Sequence, residues 1–142
     1  MPTRTASATW EGGLKGGTGK FEGESGVIGG AYSFGSRFEQ AKGSNPEELL
    51  AAAEAACFSM ALSAELERSG KTPTRVQTQA RCTIDRAGEG FKITTMKLAV
   101  QAAVPGLDQR QFAEIAEKVK TTCPVSVALK GNVALELEAK LV

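Results

Sequence analysis

The sequence contains no histidine among its 142 residues. This absence excludes, in their usual forms, serine and cysteine hydrolases that depend on an imidazole base. It also excludes histidine-rich zinc and iron sites and histidine-ligated haem. If a cysteine in this chain is chemically active, the group that activates it must be something other than histidine.

Cysteine is scarce as well. The chain has three, Cys57, Cys82 and Cys123, and no C-x-x-C pair. Three widely spaced cysteines do not form a disulfide framework, and a reducing compartment would keep most of them as thiols. A soft-metal site built from all three stays open as an alternative. We expect no metal and no cofactor.

The chain also lacks an excess of charge and a long apolar run. Its 17 basic and 16 acidic side chains leave a net charge of +1 without a block of either sign, which predicts neither a nucleic-acid nor an anionic-membrane partner. The N-terminus has no apolar signal core, and no stretch approaches the roughly 20 apolar residues of a membrane span. We therefore expect a cytoplasmic protein whose residues 1–142 form a single domain.

The clearest structural signal is the segment Asn45–Leu62, NPEELLAAAEAACFSMAL, which predicts a long helix. Asn45 can cap it, Pro46 suits its first position, and Glu48 can complete a capping box. Apolar residues recur at helical spacing, which predicts a buried stripe of Leu50, Ala53, Cys57 and Met60. From the residues alone, Cys57 is best interpreted as a core cysteine that packs as a small hydrophobe.

The rest of the chain alternates strands and helices. The pattern predicts three short strands in residues 1–34 with Gly29-Gly30 in a bend or bulge, a hairpin over 76–104, an amphipathic helix over 107–120, a short helix that begins at Cys123-Pro124, and a last strand over 133–141. The glycines of 12–19 do not fit a phosphate-binding loop. This order predicts an α+β fold in which antiparallel sheets surround a long buried helix that carries the first cysteine.

Three further residues are candidates for a role. Arg37 lies in SFGSRFEQ between a predicted strand and helix, where its residue context favours a surface arginine with its stem packed on phenylalanine. Cys123 lies at a predicted helix start, where the helix dipole favours a thiolate. Cys82 alternates with apolar neighbours and is predicted to be a core strand residue.

Taken together, four features resemble the osmotically inducible protein C (OsmC) and organic hydroperoxide resistance family. They are NPEELLAAAEAACFSMAL, the CPVS that follows its cysteine by 66 residues, the upstream SRFE, and a length near 140 residues. The segments ESGV, SMAL and VPG are closer to the OsmC branch. The resemblance implies a peroxide-reducing thiol enzyme that forms an intertwined homodimer with active sites at the subunit interface.

Residue by residue, the resemblance implies that Cys57 is the peroxidatic cysteine and Cys123 the resolving cysteine. It makes Arg37 the cation that activates the thiolate and Glu47 the carboxylate that holds Arg37. The implied reaction reduces organic hydroperoxides, and inorganic ones less well, through a Cys57 sulfenic acid and a Cys57–Cys123 disulfide, in defence against oxidative or osmotic stress. A dithiol, of which a lipoyl-type dithiol is the suggested example, would be the reductant. Cys82 matches no motif and is expected to be structural.

Glu54 does not belong to the implied set of site residues. It lies three residues before Cys57, where an unpaired carboxylate would raise the pKa of the thiol. We expect it to lean toward solvent or to pair with a base across the subunit interface. Two other functions stay open, namely a thiol–disulfide redox sensor and a dimer that binds a small apolar ligand without turnover.

Overall fold

The structure is a computed structural model that describes residues 1–142. It comprises two compact units, Met1–Leu49 and Leu50–Val142. Its elements are β1 (Ala6–Glu11), β2 (Thr18–Gly23), β3 (Gly29–Tyr32), α1 (Phe34–Phe38), α2 (Pro46–Arg68), β4 (Arg75–Ala87), β5 (Gly90–Ala103), α3 (Gln109–Lys120), α4 (Pro124–Leu129) and β6 (Ala134–Leu141). The α+β class predicted from the sequence is confirmed, whereas a single domain over the whole chain stays a prediction.

The first unit contains a three-stranded antiparallel sheet in the order β1-β2-β3. The expectation of a bend or bulge at Gly29-Gly30 is wrong, since both glycines pair in register with Glu22 and Phe21. A Cβ on Gly29 would lie 3.2 Å from the carbonyl oxygen of Phe21. A side chain at position 29 would therefore require this carbonyl to shift by a few tenths of an ångström, so Gly29 allows a close approach of the two strands rather than a break in the ladder.

Helix α1 was not expected from the sequence, which predicted only a connection around Arg37. It is capped reciprocally by two serines. The Ser33 hydroxyl accepts the Ser36 backbone N–H at 3.1 Å, and the Ser36 hydroxyl accepts the Ser33 N–H at 2.9 Å. This capping box holds a five-residue helix that carries Arg37 in its last turn.

Helix α2 begins as predicted, because the Asn45 side-chain oxygen accepts the Glu48 backbone N–H at 2.8 Å. The Glu48 carboxylate does not close a capping box but accepts a hydrogen bond from the Ser44 hydroxyl. The helix stops before Gly70, whose φ of +79° is a left-handed conformation that favours glycine at a helix end.

The buried side of α2 differs from the predicted stripe. Cys57 is only half-buried, Ala53 is exposed, and Met60 is 75% exposed. The fully buried positions recur every four residues instead, at Glu54, Phe58, Leu62 and Leu66. This row faces the core of the second unit, which fixes the helix rotation about its axis.

Contrary to expectation, α2 is long and apolar enough to cross a membrane, as judged by length and composition alone. Here it is the core helix of the fold, with Phe58 and Leu62 among its fully buried side chains.

The second unit contains the three-stranded sheet β4-β5-β6. Strands β4 and β5 form the predicted hairpin, with a turn at Gly88 (φ +60°) and a register shift between Thr83 and Ile84. Strand β6 pairs with β5 in parallel, so this sheet is mixed rather than wholly antiparallel. The parallel pairing follows from the connection, because α3 and α4 carry the chain back before β6 begins.

Helix α3 packs against this core and leads into α4. The Asp108 carboxylate caps α3 by accepting the Gln111 backbone N–H at 2.9 Å. Its buried residues Phe112, Ala116 and Val119 join Met96, Leu98, Val100 and Ala102 of β5 and the buried row of α2 in one hydrophobic core. The packing of α2, β5 and α3 around this shared core thus determines where α4 starts.

Candidate active site

Cys57 and Cys123 lie in contact in the second unit. Cys57 is on α2, and Cys123 is the fully buried N-cap residue of α4. The Cys123 Sγ donates a hydrogen bond to the Cys57 Sγ at 3.1 Å. The structure therefore brings together two cysteines that are 66 residues apart in the chain. Their assigned roles stay predictions.

Cys123 is held at this place by the backbone on both sides. Its N–H donates to the Val119 carbonyl of α3 at 2.8 Å, and its carbonyl accepts the Val127 N–H at 2.9 Å. Pro124 occupies the first turn of α4, as predicted, where its missing N–H is not needed. The Cys123 side chain makes no capping hydrogen bond with α4.

The protein environment raises the pKa of the Cys57 thiol from its ordinary value. Burial is the main cause, and the hydrogen bond and charge of Cys123 and the charge of Glu54 act in the same direction. The backbone N–H of Val125, in the first turn of α4, opposes them by donating to Cys57. The start of α4 was expected to act on Cys123, but this donor is directed at the other sulfur. The groups of this chain therefore favour the protonated thiol of Cys57 over the thiolate.

Glu54 is not directed toward solvent, and that expectation is wrong. Its side chain is fully buried, and its Oε1 accepts a hydrogen bond from the Ser126 hydroxyl of α4. Its Oε2 is buried without a hydrogen-bond partner. Burial raises the pKa of Glu54, and the hydrogen bond from Ser126 partly opposes this. The reason for the difference is the four-residue periodicity of α2, which places Glu54 in the same row as Phe58.

Arg37 and Glu47 are in contact within the first unit. The Arg37 Nη2 donates to Glu47 Oε1 at 2.7 Å, and its Nε lies 3.2 Å from both carboxylate oxygens. The Glu47 residue is 6% exposed, and the Arg37 side chain is 34% exposed. Such a two-nitrogen contact fixes the plane of the guanidinium, which a lysine ammonium cannot reproduce.

An apolar cleft of about 240 Å³ surrounds Arg37 in the first unit. The Arg37 guanidinium lies 5.3 Å from the centre of the Phe38 ring. This contact is made by the guanidinium, whereas the sequence predicted a contact of the aliphatic stem with phenylalanine. The cleft lining is mostly aromatic and consists of Trp10, Leu14, Tyr32, Ser33, Phe34, Arg37 and Phe38. The cleft thus places the Arg37 cation beside an aromatic lining that suits an organic group.

Cys82 lies on β4, half-buried against the hydrophobic core and opposite Met96 of β5. This agrees with its predicted position in a core strand. No group of three or more cysteine, aspartate or glutamate side chains is arranged to hold a metal ion. The three-cysteine metal site considered from the sequence therefore has no counterpart in this arrangement.

Two features of the site were missed by sequence reasoning, namely the burial of Glu54 and its bond to Ser126. The signal for the first was present, because Glu54, Phe58, Leu62 and Leu66 follow one another at intervals of four residues. The second depends on the packing of α4 against α2, which no local pattern contains.

Comparison with known proteins identifies relatives of the whole chain. Residues 39–138 match the family model described as OsmC-like protein. The chain is 46% identical over 138 residues to the peroxiredoxin OsmC of Escherichia coli strain K12, which covers 96% of both proteins. It is 34% identical over 96 residues to an organic hydroperoxide resistance protein of Xanthomonas axonopodis pv. citri, covering 67% of this chain and 66% of that one.

A solved structure shares the fold. The organic hydroperoxide resistance protein OhrB of Bacillus subtilis is 30% identical and superposes with a TM-score of 0.70, covering 96% of this chain and 98% of that one. The range matched by the family model contains Glu47, Cys57 and Cys123 and begins two residues after Arg37.

Proposed function

The chain belongs to the OsmC-like protein family and is a cysteine-based peroxidase, and from this premise we propose that it reduces organic hydroperoxides through Cys57 and Cys123. The observation that carries the proposal is the 3.1 Å contact between the two sulfurs. A thiol at this distance from a second thiol needs little movement to form a disulfide after one of them is oxidised.

The proposed reaction begins at Cys57. Its thiolate attacks the outer oxygen of the hydroperoxide, the O–O bond breaks, and the organic alkoxide takes a proton and leaves as an alcohol. Cys57 becomes a sulfenic acid. The Cys123 sulfur then attacks the Cys57 sulfur, the S–O bond breaks, water leaves, and a Cys57–Cys123 disulfide remains. An external dithiol, for which a lipoyl-type dithiol is our candidate, restores both thiols by thiol–disulfide exchange.

We propose that a cation promotes thiolate formation at Cys57. Burial raises the pKa of this thiol, and the chain has no histidine to accept its proton. We assign the activation to Arg37, whose guanidinium is oriented by Glu47. Arg37 would stabilise the Cys57 thiolate and the negative charge that develops on the leaving oxygen, while Glu47 acts as a positioning residue.

We further propose that the working form is an intertwined homodimer in which Arg37 and Cys57 complete the site at the subunit interface, Arg37 coming from the same or the second subunit. A dimer interface would cover exposed apolar side chains such as Met60 on α2, which is 75% exposed, and Val27 in the first unit, which is 86% exposed. The apolar cleft around Arg37 would receive the organic group of the substrate. Our proposal includes a cytoplasmic location, a role in stress defence, and lower activity with inorganic peroxide.

A turnover experiment separates this proposal from its alternatives. Purified protein is mixed with an alkyl hydroperoxide and an excess of a lipoyl-type dithiol, and the hydroperoxide consumed per site is counted. Many equivalents support the peroxidase, one equivalent supports a redox sensor, and none supports a dimer that only binds an apolar ligand. Hydrogen peroxide in place of the alkyl hydroperoxide tests the proposed substrate preference.

A further inference from the structure

A buried carboxyl group next to the two cysteines has no part in the reaction described above. Glu54 is fully buried, one of its oxygens accepts a hydrogen bond from Ser126, and the other has no partner. A carboxyl group in an apolar interior is costly to keep, and an aliphatic side chain would fill the same space without that cost. Its presence therefore calls for a reason other than packing.

The positions of the two side chains give that reason. Glu54 precedes Cys57 by three residues on α2, and Ser126 follows Cys123 by three residues on α4. The hydrogen bond between them therefore joins the same two helices as the sulfur contact does, about one turn away from each cysteine.

The backbone bond from Cys123 to Val119 fixes where α4 starts, and contacts farther along the helix determine how its first turn lies against α2. Helix α4 has only six residues, and the Cys123 side chain does not cap it. A helix this short has little stability of its own, so contacts with its neighbours determine where its first turn lies. Ser126 is fully buried in that turn, and its hydroxyl has Glu54 as its side-chain partner.

We propose that the Glu54–Ser126 hydrogen bond is a clasp that holds Cys123 against Cys57, so that the resolving thiol captures the sulfenic acid before a second hydroperoxide oxidises it. Glu54 and Ser126 are positioning residues, because they act through the place of Cys123 next to Cys57. The inference rests on the proposed function. In the captured step the Cys57 S–O bond breaks, the S–S bond forms, and the Cys123 proton leaves in water. In the competing step a second hydroperoxide molecule supplies the oxygen that converts the sulfenic acid into sulfinic acid.

The experiment compares four full-length proteins. Ser126→Ala removes the donor of the clasp. Glu54→Gln keeps an oxygen that accepts from Ser126 but removes the ionisable group. Ser59→Ala is the matched control, because it removes a 2.7 Å hydrogen bond from the same helix to Thr78 of β4. Each reduced protein is treated with increasing alkyl hydroperoxide, and mass spectrometry measures the ratio of Cys57 sulfinic acid to Cys57–Cys123 disulfide.

In Ser126→Ala the hydroperoxide concentration that gives equal amounts of sulfinic acid and disulfide should fall by about tenfold, the size expected for loss of one buried hydrogen bond. The first oxidation of Cys57 should keep its rate. Glu54→Gln and Ser59→Ala should give the same ratio of sulfinic acid to disulfide as the wild type. A normal ratio in Ser126→Ala overturns the clasp, as does the same defect in Ser59→Ala, which would indicate general loosening. A defect in Glu54→Gln equal to that of Ser126→Ala would assign the effect to charge and overturn it too.

A second measurement tests the clasp without relying on peroxidase activity. In a glutathione redox buffer without hydroperoxide, the equilibrium between dithiol and Cys57–Cys123 disulfide reports the effective concentration of the two thiols. Ser126→Ala should lower it by about tenfold, and Glu54→Leu, which removes the clasp and the buried carboxyl group together, should lower it similarly. If the wild type does not reduce hydroperoxides but this shift is found, the proposed function fails and the clasp stands. If neither variant changes the equilibrium, the clasp is wrong.

Discussion

Replacement of Arg37 by lysine tests how the thiol of Cys57 is activated. In the wild type, two nitrogens of Arg37 contact the Glu47 carboxylate, Nη2 at 2.7 Å from Oε1 and Nε at 3.2 Å from both oxygens. A lysine keeps the positive charge but has one nitrogen on a flexible chain, so it loses the two-nitrogen contact and the fixed plane. Arg37→Lys thus separates orientation from charge.

The expected loss of reaction rate follows from the contribution of this fixed orientation to transition-state stabilisation. A preoriented donor at a developing negative charge contributes about 1.5 to 4 kcal/mol, which corresponds to a roughly ten- to thousandfold slower reaction with hydroperoxide. The pKa of Cys57, already raised by burial, should rise further. Glu47→Gln should show a milder defect in the same direction, since a neutral amide still accepts a hydrogen bond but holds the guanidinium less firmly.

The assay combines thiolate absorbance or alkylation rate against pH with single-turnover hydroperoxide kinetics. Arg68→Lys is the matched control, because Arg68 forms an ordinary surface ion pair with Glu65 at 2.9 Å and its side chain is 74% exposed. That variant should leave both measurements unchanged. If Arg37→Lys also leaves the Cys57 pKa and the peroxide rate unchanged, another group activates the thiol and the reasoning is refuted.

Three further predictions concern single side chains. Cys57→Ser should abolish hydroperoxide reduction while Cys82→Ser leaves it largely intact, and equal loss in both would contradict the assignment. Cys123→Ser should consume one hydroperoxide per site and then stop or over-oxidise, whereas sustained turnover with dithiol would show that Cys123 is dispensable. Burial raises the pKa of Glu54 above about 4.5, so the folded state holds this proton more tightly than the unfolded state. The free energy of unfolding should therefore fall, relative to that of Glu54→Gln, as the pH rises from about 4.5 through the folded-state pKa. A constant difference between pH 4 and pH 8 in denaturant titrations would show that Glu54 is not perturbed.

The long elements could be predicted from the sequence because their signals are local. The start of α2 follows from Asn45 and Pro46, and its end from Gly70. The hairpin of β4 and β5 follows from the alternation of apolar and polar residues along the first strand and along the second half of the second, with Gly88 at the turn. In each case the residues that decide the structure are neighbours along the chain.

The short helix α1 was missed because five residues contain too little periodicity to distinguish a helix from a loop. Its stability comes from the reciprocal bonds of Ser33 and Ser36 and from the bond that Ser36 donates to the Ser44 carbonyl at 2.7 Å. The spacing of the two serines was the one available signal, but Ser36 stands where a capping box usually has glutamate or glutamine. The parallel pairing of β6 was equally beyond local reasoning, because it depends on how α3 and α4 return the chain.

The candidate site residues could be predicted from the sequence, but the packing that surrounds them could not. The family resemblance assigned four roles, and the structure finds Cys57 in contact with Cys123 and Arg37 in contact with Glu47. The burial of Glu54 was misjudged because a carboxylate on a helix is usually solvated. Only the packing of α4 on α2 shows that the Ser126 hydroxyl donates a hydrogen bond to the Glu54 carboxyl group.

The pairing of Cys57 with Cys123 is tested most directly by mass spectrometry of peptides from wild-type protein treated with one equivalent of an alkyl hydroperoxide, digested under conditions that block thiol exchange. The predicted product is a single Cys57–Cys123 linkage, formed in step with the release of one equivalent of the corresponding alcohol. A Cys57–Cys82 linkage, or release of the alcohol without any linkage at Cys123, would contradict the proposed reaction.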